Sequence, residues 1–134
     1  MFKITPINNF EIQKSVAEAC GTVFRDGHFA YLMTDIDSGR LMGFSQFEIR
    51  KDGGVITDLR EVPGLNDFEA MFILGRQTMN FIDLCGSHTV YAPKDAADEK
   101  LLHAIGLRLC KDGIYYADMT GMFDGKCDGN ALKL

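Results

Sequence analysis

The chain has 134 residues, 46% of them apolar and 25% charged, and its nineteen acidic against fourteen basic side chains give a net charge of −5. That length suits one domain around one core, and that balance excludes a disordered chain. No apolar run approaches the ~20 residues of a membrane span, and the scattered Lys and Arg form no stripe with aromatics, which argues against a nucleic-acid or membrane partner.

The opening MFKITPINNFEIQ has no basic patch followed by an apolar block, so no secretory leader is read and the cytoplasm is the expected compartment. FKITPI alternates in polarity and predicts a first strand. A helix follows, with Asn8 and Glu11 at capping-box spacing and a stripe of Ile12, Val16, Ala19, Cys20 and Val23. Its end is expected near Asp26–Gly27. FAYLMTD, RLMGFSQFEIR and VITDLREV then read as three strands joined by short Asp/Gly turns, the punctuation of antiparallel hairpins. The middle run changes phase between Phe44 and Phe47, which predicts either a bulge near Ser45–Gln46 or a strand buried on both faces.

From Asp67 the period becomes helical, with Phe68, Met71, Phe72, Gly75, Met79 and Ile82 on one stripe and a stop at Cys85–Gly86. HTVYA is a short strand. Placed after VITDLREV and a helix, it completes a right-handed βαβ unit with a parallel pair. A short helix from about Asp95 runs to Gly106, and LRLC with IYYADMTGMF forms a last hairpin. The expected organisation is one domain over 1–123 and a polar tail over 124–134. The class is α/β, with a mixed, mostly antiparallel sheet of about seven strands, a parallel pair in its middle, and about three helices.

This order resembles the GCN5-related N-acetyltransferase (GNAT) fold across nearly the whole chain. GFSQFEIRKDGGVITDLREVPG resembles the family's third and fourth strands with their Val-x-Pro-like end. DEKLLHAIGLRLCKDGIYY resembles its last helix, the Gly-Phe step after it (here Gly106–Leu107) and the final hairpin. The resemblance implies an acyl-CoA-dependent N-acetyltransferase, with acetyl-CoA as co-substrate and a small-molecule or protein amine as acceptor. The cofactor groove would lie between splayed fourth and fifth strands. Backbone groups of Glu61 and Val62 would pair with the pantetheine arm, and the helix start at Asn66, Asp67 and Phe68 would face the phosphates.

The family's phosphate motif, Arg/Gln-x-x-Gly-x-Gly/Ala, is altered here. With Pro63 on the family proline, Asn66 takes the basic or glutamine position, Asp67 and Glu69 stand where glycines usually sit, and Met71 falls at the final small site. A shift of one residue brings Ala70 to that site and restores no glycine pair. Asn66 and Glu69 have capping-box spacing and Asp67 is a second cap candidate, so side-chain oxygens would occupy donors that a phosphate needs. Acidic groups in a first turn stabilise a helix by roughly 0.3–1 kcal/mol each and repel a pyrophosphate. The expectation is a self-capped helix rather than the usual cradle.

For catalysis, the resemblance points to a carboxylate near the fourth strand, Asp58 or Glu61. Three apart on a strand, they face opposite ways, and each otherwise reads as a solvated strand charge. Leu102 stands where the family often has its tyrosine acid; Tyr116 or Tyr115 could substitute, and otherwise one packs on the core and the other covers an exposed face. His103 reads as a surface residue and His28 as part of a turn. Cys20, Cys85, Cys110 and Cys127 lack CxxC or Cys/His spacing and read as reduced, mostly buried thiols, and His28, His88 and His103 are far apart, so no metal site is expected. Cys85, at a helix end, has no source of a depressed pKa. DGKCDG has Lys126 where a calcium loop needs oxygen, and DIDSG reads as a turn. Three functional readings follow: an N-acetyltransferase with an atypical phosphate loop; a non-catalytic GNAT-like domain that binds a ligand or protein; and a homodimer with a structural or regulatory role.

Overall fold

A computed structural model of the chain describes residues 1–110 and 112–123; the polar tail, with Cys127 and DGKCDG, lies outside the described residues. The elements in chain order are β1 (Phe2–Pro6), α1 (Phe10–Ala19), β2 (Phe29–Asp35), β3 (Leu41–Arg50), β4 (Gly53–Glu61), α2 (Phe68–Leu84), β5 (Thr89–Pro93), α3 (Glu99–Ile105), β6 (Arg108–Leu109) and β7 (Ile114–Asp118). The strands form one seven-stranded sheet in the order β1-β2-β3-β4-β5-β7-β6. Every pairing is antiparallel except β4 with β5. The expected architecture is therefore present, including the parallel pair made by the β4–α2–β5 crossover.

Two apolar clusters flank the sheet. The larger joins α2 and α3 to one face through Phe47, Ile56, Leu59, Leu74, Ile82 and Ile105. The smaller seats α1 on the other through Val16, Ala17, Cys20 and Phe44. Because helices cover both faces, β3 is buried from Met42 to Phe47 without alternation. A bulge does lie opposite Gln46, but on the neighbouring strand β4. Gln46 pairs with Asp58 and Phe47 with Ile56, leaving Thr57 as an extra residue on β4. The extra residue is on β4 and not in β3, so the phase change in β3 reflects burial on both faces, with Phe44 in one cluster and Phe47 in the other.

At α1 and α3 the helix ends differ from the sequence expectation in three places. Asn9, not Asn8, caps α1: its Oδ1 accepts from the N–H groups of Glu11 (2.8 Å) and Ile12 (3.1 Å). The helix stops at Ala19 rather than near Gly27. Gly21 takes φ +79°, and Thr22 N–H donates back to the Ala17 carbonyl in a left-handed stop. Ile12 and Val23 are consequently exposed, and Gln13 joins Val16 and Ala17 on the buried face. Third, α3 begins at Glu99, not Asp95, because Pro93 to Ala96 form a tight turn closed by Ala96 N–H to Pro93 C=O (3.0 Å).

The α2 stripe is rotated slightly from the sequence reading. Ala70, Leu74 and Thr78 are buried with Met71, Gly75, Met79 and Ile82, whereas Phe68 is 42% exposed. Ile82 packs directly over the backbone of Gly54, where a Cβ would lie 2.5 Å from its Cγ2. Gly54 also forms the first of only two parallel rungs, Gly54–Val90 and Val55–Tyr91. Beyond them β4 and β5 part, and that opening positions the site. Gly54→Ala should force α2 away from this rung and cost about 1–3 kcal/mol by overpacking, read as a lower urea midpoint with an unchanged m-value.

Candidate functional site

The opening between β4 and β5 exposes the edge of β4. Val62 N–H donates to the Met42 carbonyl at 2.8 Å, so the Gly43–Glu61 pair is of the non-hydrogen-bonded type. The N–H and C=O of Glu61 therefore point away from β3, into the opening. By the same alternation Leu59 also presents its backbone there, and its N–H donates to the Ala96 carbonyl at 2.8 Å. The expectation for Val62 is corrected: its N–H is used by β3, and its carbonyl accepts from Leu65 N–H at 3.1 Å. Beneath this edge lies a cleft of about 260 Å³ lined by Cys20, Leu59, Glu61, Met71, Asp98 and Leu101. Burial pushes the Cys20 thiol up to about 12, so it is a neutral, apolar wall.

The cleft touches α2 at Met71, whereas Asp67 and Glu69 line a separate hollow with Pro63, Gly64 and Leu65. Asn66 adopts a left-handed φ of 55°, which turns the chain so that Asp67 becomes the cap. Asp67 Oδ1 accepts from Ala70 N–H at 3.1 Å, and Glu61 Oε2 accepts from Asp67 N–H at 3.1 Å. The Asn66–Glu69 capping box is not formed; Asp67 with Glu61 replaces it. The N–H groups of Phe68 and Glu69 meet no acceptor among the described residues, and they are the donors left for an anion. Lys100, from the first turn of α3, lies with Nζ 5.3 Å from the Phe68 ring centroid. Sequence reasoning missed this cation, because only the packing of α3 beside α2 brings it to the helix start.

Asp58 faces the other side of the sheet and is fully buried, which corrects its reading as a solvated strand charge. Its carboxylate accepts from Arg25 Nε (2.6 Å), Gln46 Nε2 (2.8 Å) and Thr22 Oγ1 (3.0 Å). Gln46 in turn accepts from Gln13 Nε2 and Arg25 N–H and donates to the Val23 carbonyl. Asp58, by its hydrogen bond, raises the Arg25 guanidinium above its ordinary value. This network ties the loop after α1 to β3 and β4 and satisfies a charge that could not otherwise be buried. Asp58 and Glu61 do take opposite faces.

The pinned loop walls a second hollow, of about 710 Å³, on the α1 face. His28, Glu48, Thr57 and Tyr91 line it, so His28 is more than a turn residue. Arg50, at 2.7 Å, holds the Glu48 carboxyl below its ordinary value, with His28 adding to the effect. Tyr116, the tyrosine proposed as acid, lies on β7 against Tyr91, ring centroids 5.2 Å apart. Burial first, then the charge of Asp118, raises its pKa. Tyr115 packs in the core, so the division of this pair between the two faces is as expected.

Comparison with solved structures gives the architecture its place. The Escherichia coli ribosomal-protein-S18-alanine N-acetyltransferase superposes with a TM-score of 0.68 over 89% of this chain and 94% of its own, at 11% identity. The IAA acetyltransferase of Bacillus cereus superposes at 0.68 over 83% and 79%, at 16% identity. AtaTR bound with acetyl-CoA superposes at 0.64 over 90% and 95%, at 13% identity. The chain has the GNAT fold. No family model and no curated protein matches the sequence.

Within the GNAT fold the predicted site residues divide into three places. Glu61, Asp67 and Phe68 meet at the β4–α2 junction, with Asn66 shaping the turn; Asp58 lies behind β4; Tyr116 lies two strands away on the sheet. Among the described residues no cluster of three or more His, Cys, Asp or Glu is placed to hold a metal ion, and no helix is long and apolar enough to cross a membrane.

Two outcomes test this geometry. Asp58→Asn leaves Arg25 without its carboxylate and should cost about 3 kcal/mol, measured by denaturant unfolding. Iodoacetamide near pH 8 should label the exposed Cys85 and Cys110 and spare Cys20, read by mass spectrometry.

Proposed function

We propose that this protein is an acyl-CoA-dependent N-acyltransferase whose acyl carrier lies across the opening between β4 and β5. One observation carries the reading: the N–H and C=O of Glu61 face an unfilled strand edge above a cleft lined by Leu59, Glu61, Met71 and Leu101. A pantetheine arm has amide groups at the spacing of a short peptide and would complete that edge as an added strand. Its phosphates would meet the Phe68 and Glu69 N–H groups, with Lys100 as the counter-charge. AtaTR holds acetyl-CoA in the same fold, which supports acetyl-CoA as the donor. Asp58 then serves to hold the loop after α1, and Glu61 lines the carrier cleft.

A second reading is favoured by a specific feature of the same cleft. The Glu61 carboxylate sits on Asp67 N–H, and the Ala96 carbonyl takes Leu59 N–H. Two donors along the carrier path are thus satisfied internally, as in a domain that binds a ligand or protein without catalysis.

Calorimetric titration with acetyl-CoA and CoA separates the two. Saturable binding is expected. Glu61→Gln should tighten it roughly fivefold, since removing a like charge about 4 Å from a phosphate in a water-like dielectric is worth about 1 kcal/mol. Lys100→Ala should weaken it. No heat at millimolar CoA from either wild type or Glu61→Gln would refute the transferase and leave the binding domain.

A further inference from the structure

Leu59 and Glu61 both turn their backbone toward the opening, and the chain treats them differently. The peptide groups of Glu61 face the unfilled edge. Leu59 N–H, about 7 Å back along the strand, is taken by the Ala96 carbonyl at 2.8 Å. Ala96 reaches it because the chain turns at Pro93 to Ala96, closed by Ala96 N–H on the Pro93 carbonyl at 3.0 Å. Arg60 holds the same segment, its Nη2 donating to the Asp95 carbonyl. The Ala96 side chain is fully buried, and Ala97 and Asp98 form part of the cleft wall. Residues 95–98 are thus a strap across the opening. The cleft they leave, about 260 Å³, is smaller than the roughly 300–1,000 Å³ of ordinary ligand pockets.

The strap has a second conformation available to it. Asp98 holds the N-cap position of α3, yet its side chain caps nothing. The N–H groups of Glu99, Lys100 and Leu101 meet no acceptor among the described residues. Three residues upstream stands Asp95, exposed and engaged only through its backbone carbonyl. Between the two aspartates lie Ala96 and Ala97, of the residue type that best favours helix. With Asp95 as cap, α3 would gain Ala96, Ala97 and Asp98, nearly one turn. The carbonyls of Asp95, Ala96 and Ala97 would then accept from Glu99, Lys100 and Leu101. Asp98 and Glu99 would both fall in the acid-favouring first turn. The exchange replaces the hydrogen bonds to Leu59 and Arg60 with helical ones, so the two forms are balanced in kind.

We propose that residues 95–98 are a displaceable plug that closes the carrier opening in the free protein. An acyl-CoA entering along β4 takes Leu59 N–H from the Ala96 carbonyl, and the strap winds onto α3 with Asp95 as its new cap. Arg60 Nη2, on a side chain 35% exposed, turns to water. The apparent affinity for the carrier is then its affinity for the open form multiplied by the fraction of protein that is open. A change that favours either form of the strap moves that affinity without touching the carrier. This inference rests on the acyltransferase reading for the ligand that opens the strap.

The test uses the whole chain and CoA, with calorimetry for affinity and NMR for the strap. In the free protein Leu59 N–H should exchange slowly, and the Cα shifts of Ala96 and Ala97 should be non-helical. Saturating CoA should move the two alanine shifts to helical values. Asp95→Ala removes the new cap and Asp95→Asn keeps one, while both remove the same charge. Asp95→Ala should therefore bind CoA about fivefold more weakly than Asp95→Asn. Ala96→Pro removes the N–H that closes the turn and suits the first position of the longer helix. Without ligand it should speed exchange at Leu59 and give Ala97 a helical shift, and it should tighten CoA binding. If Ala96→Pro does not fold, the Asp95 pair decides, since that side chain is exposed. CoA binding with unmoved Ala96 and Ala97 shifts, or with equal affinities in the Asp95 pair, overturns the plug and leaves the acyltransferase reading standing. CoA binding by none of these proteins overturns this inference together with that reading.

Discussion

β4 and β5 share two rungs and then separate, and the rest of the molecule is arranged around that separation. Parallel neighbours need a crossover, and α2 supplies it by packing Ile82 against the bare backbone of Gly54. Past the second rung the bulge at Thr57 re-aims β4, while β5 ends at Pro93, which brings no N–H to a ladder. A sheet interior is thereby left with an unfilled edge, a costly state for backbone groups unless something pairs with them. The chain meets part of that need itself, through the Ala96 carbonyl on Leu59 N–H, and leaves the Glu61 peptide groups facing the opening.

Electrostatics at the end of the opening are mixed in sign. Two backbone donors of the α2 start are satisfied by carboxylates, Glu61 from the strand and Asp67 from the cap. Two others, of Phe68 and Glu69, carry no acceptor among the described residues, and Lys100 stands nearby. The two carboxylates stabilise the helix start and oppose any further negative charge placed beside it.

The buried Asp58 cluster has a different task. Its hydrogen bonds are numerous and short, and they run from α1 through the following loop to β3 and β4. Buried polar networks of this kind specify one arrangement more than they add stability. Here the arrangement specified is the position of the Arg25–His28 segment over the α1 face, with His28 directed at Thr57 and Glu48.

Much of this was legible in the amino-acid order. Alternation and Asp/Gly turns located β2 to β4, and the 3.6 period located α2, because those patterns answer to local geometry and to which face meets water. The strand–Pro–Gly–helix junction and the acidic start of α2 also stand in the sequence, since a cap is set within a few residues. The stop of α1 was legible in principle at Gly21, but its apolar stripe continued past it and masked the signal. What only the tertiary structure decided depends on distant chain segments. Asp58 became a buried ion because the loop after α1 closes over it, Lys100 reached the α2 start because α3 docks there, and Val62 lost its free N–H to the alternation of the β3 ladder. Burial and pairing are sums over neighbours many residues away, and no local spacing encodes them.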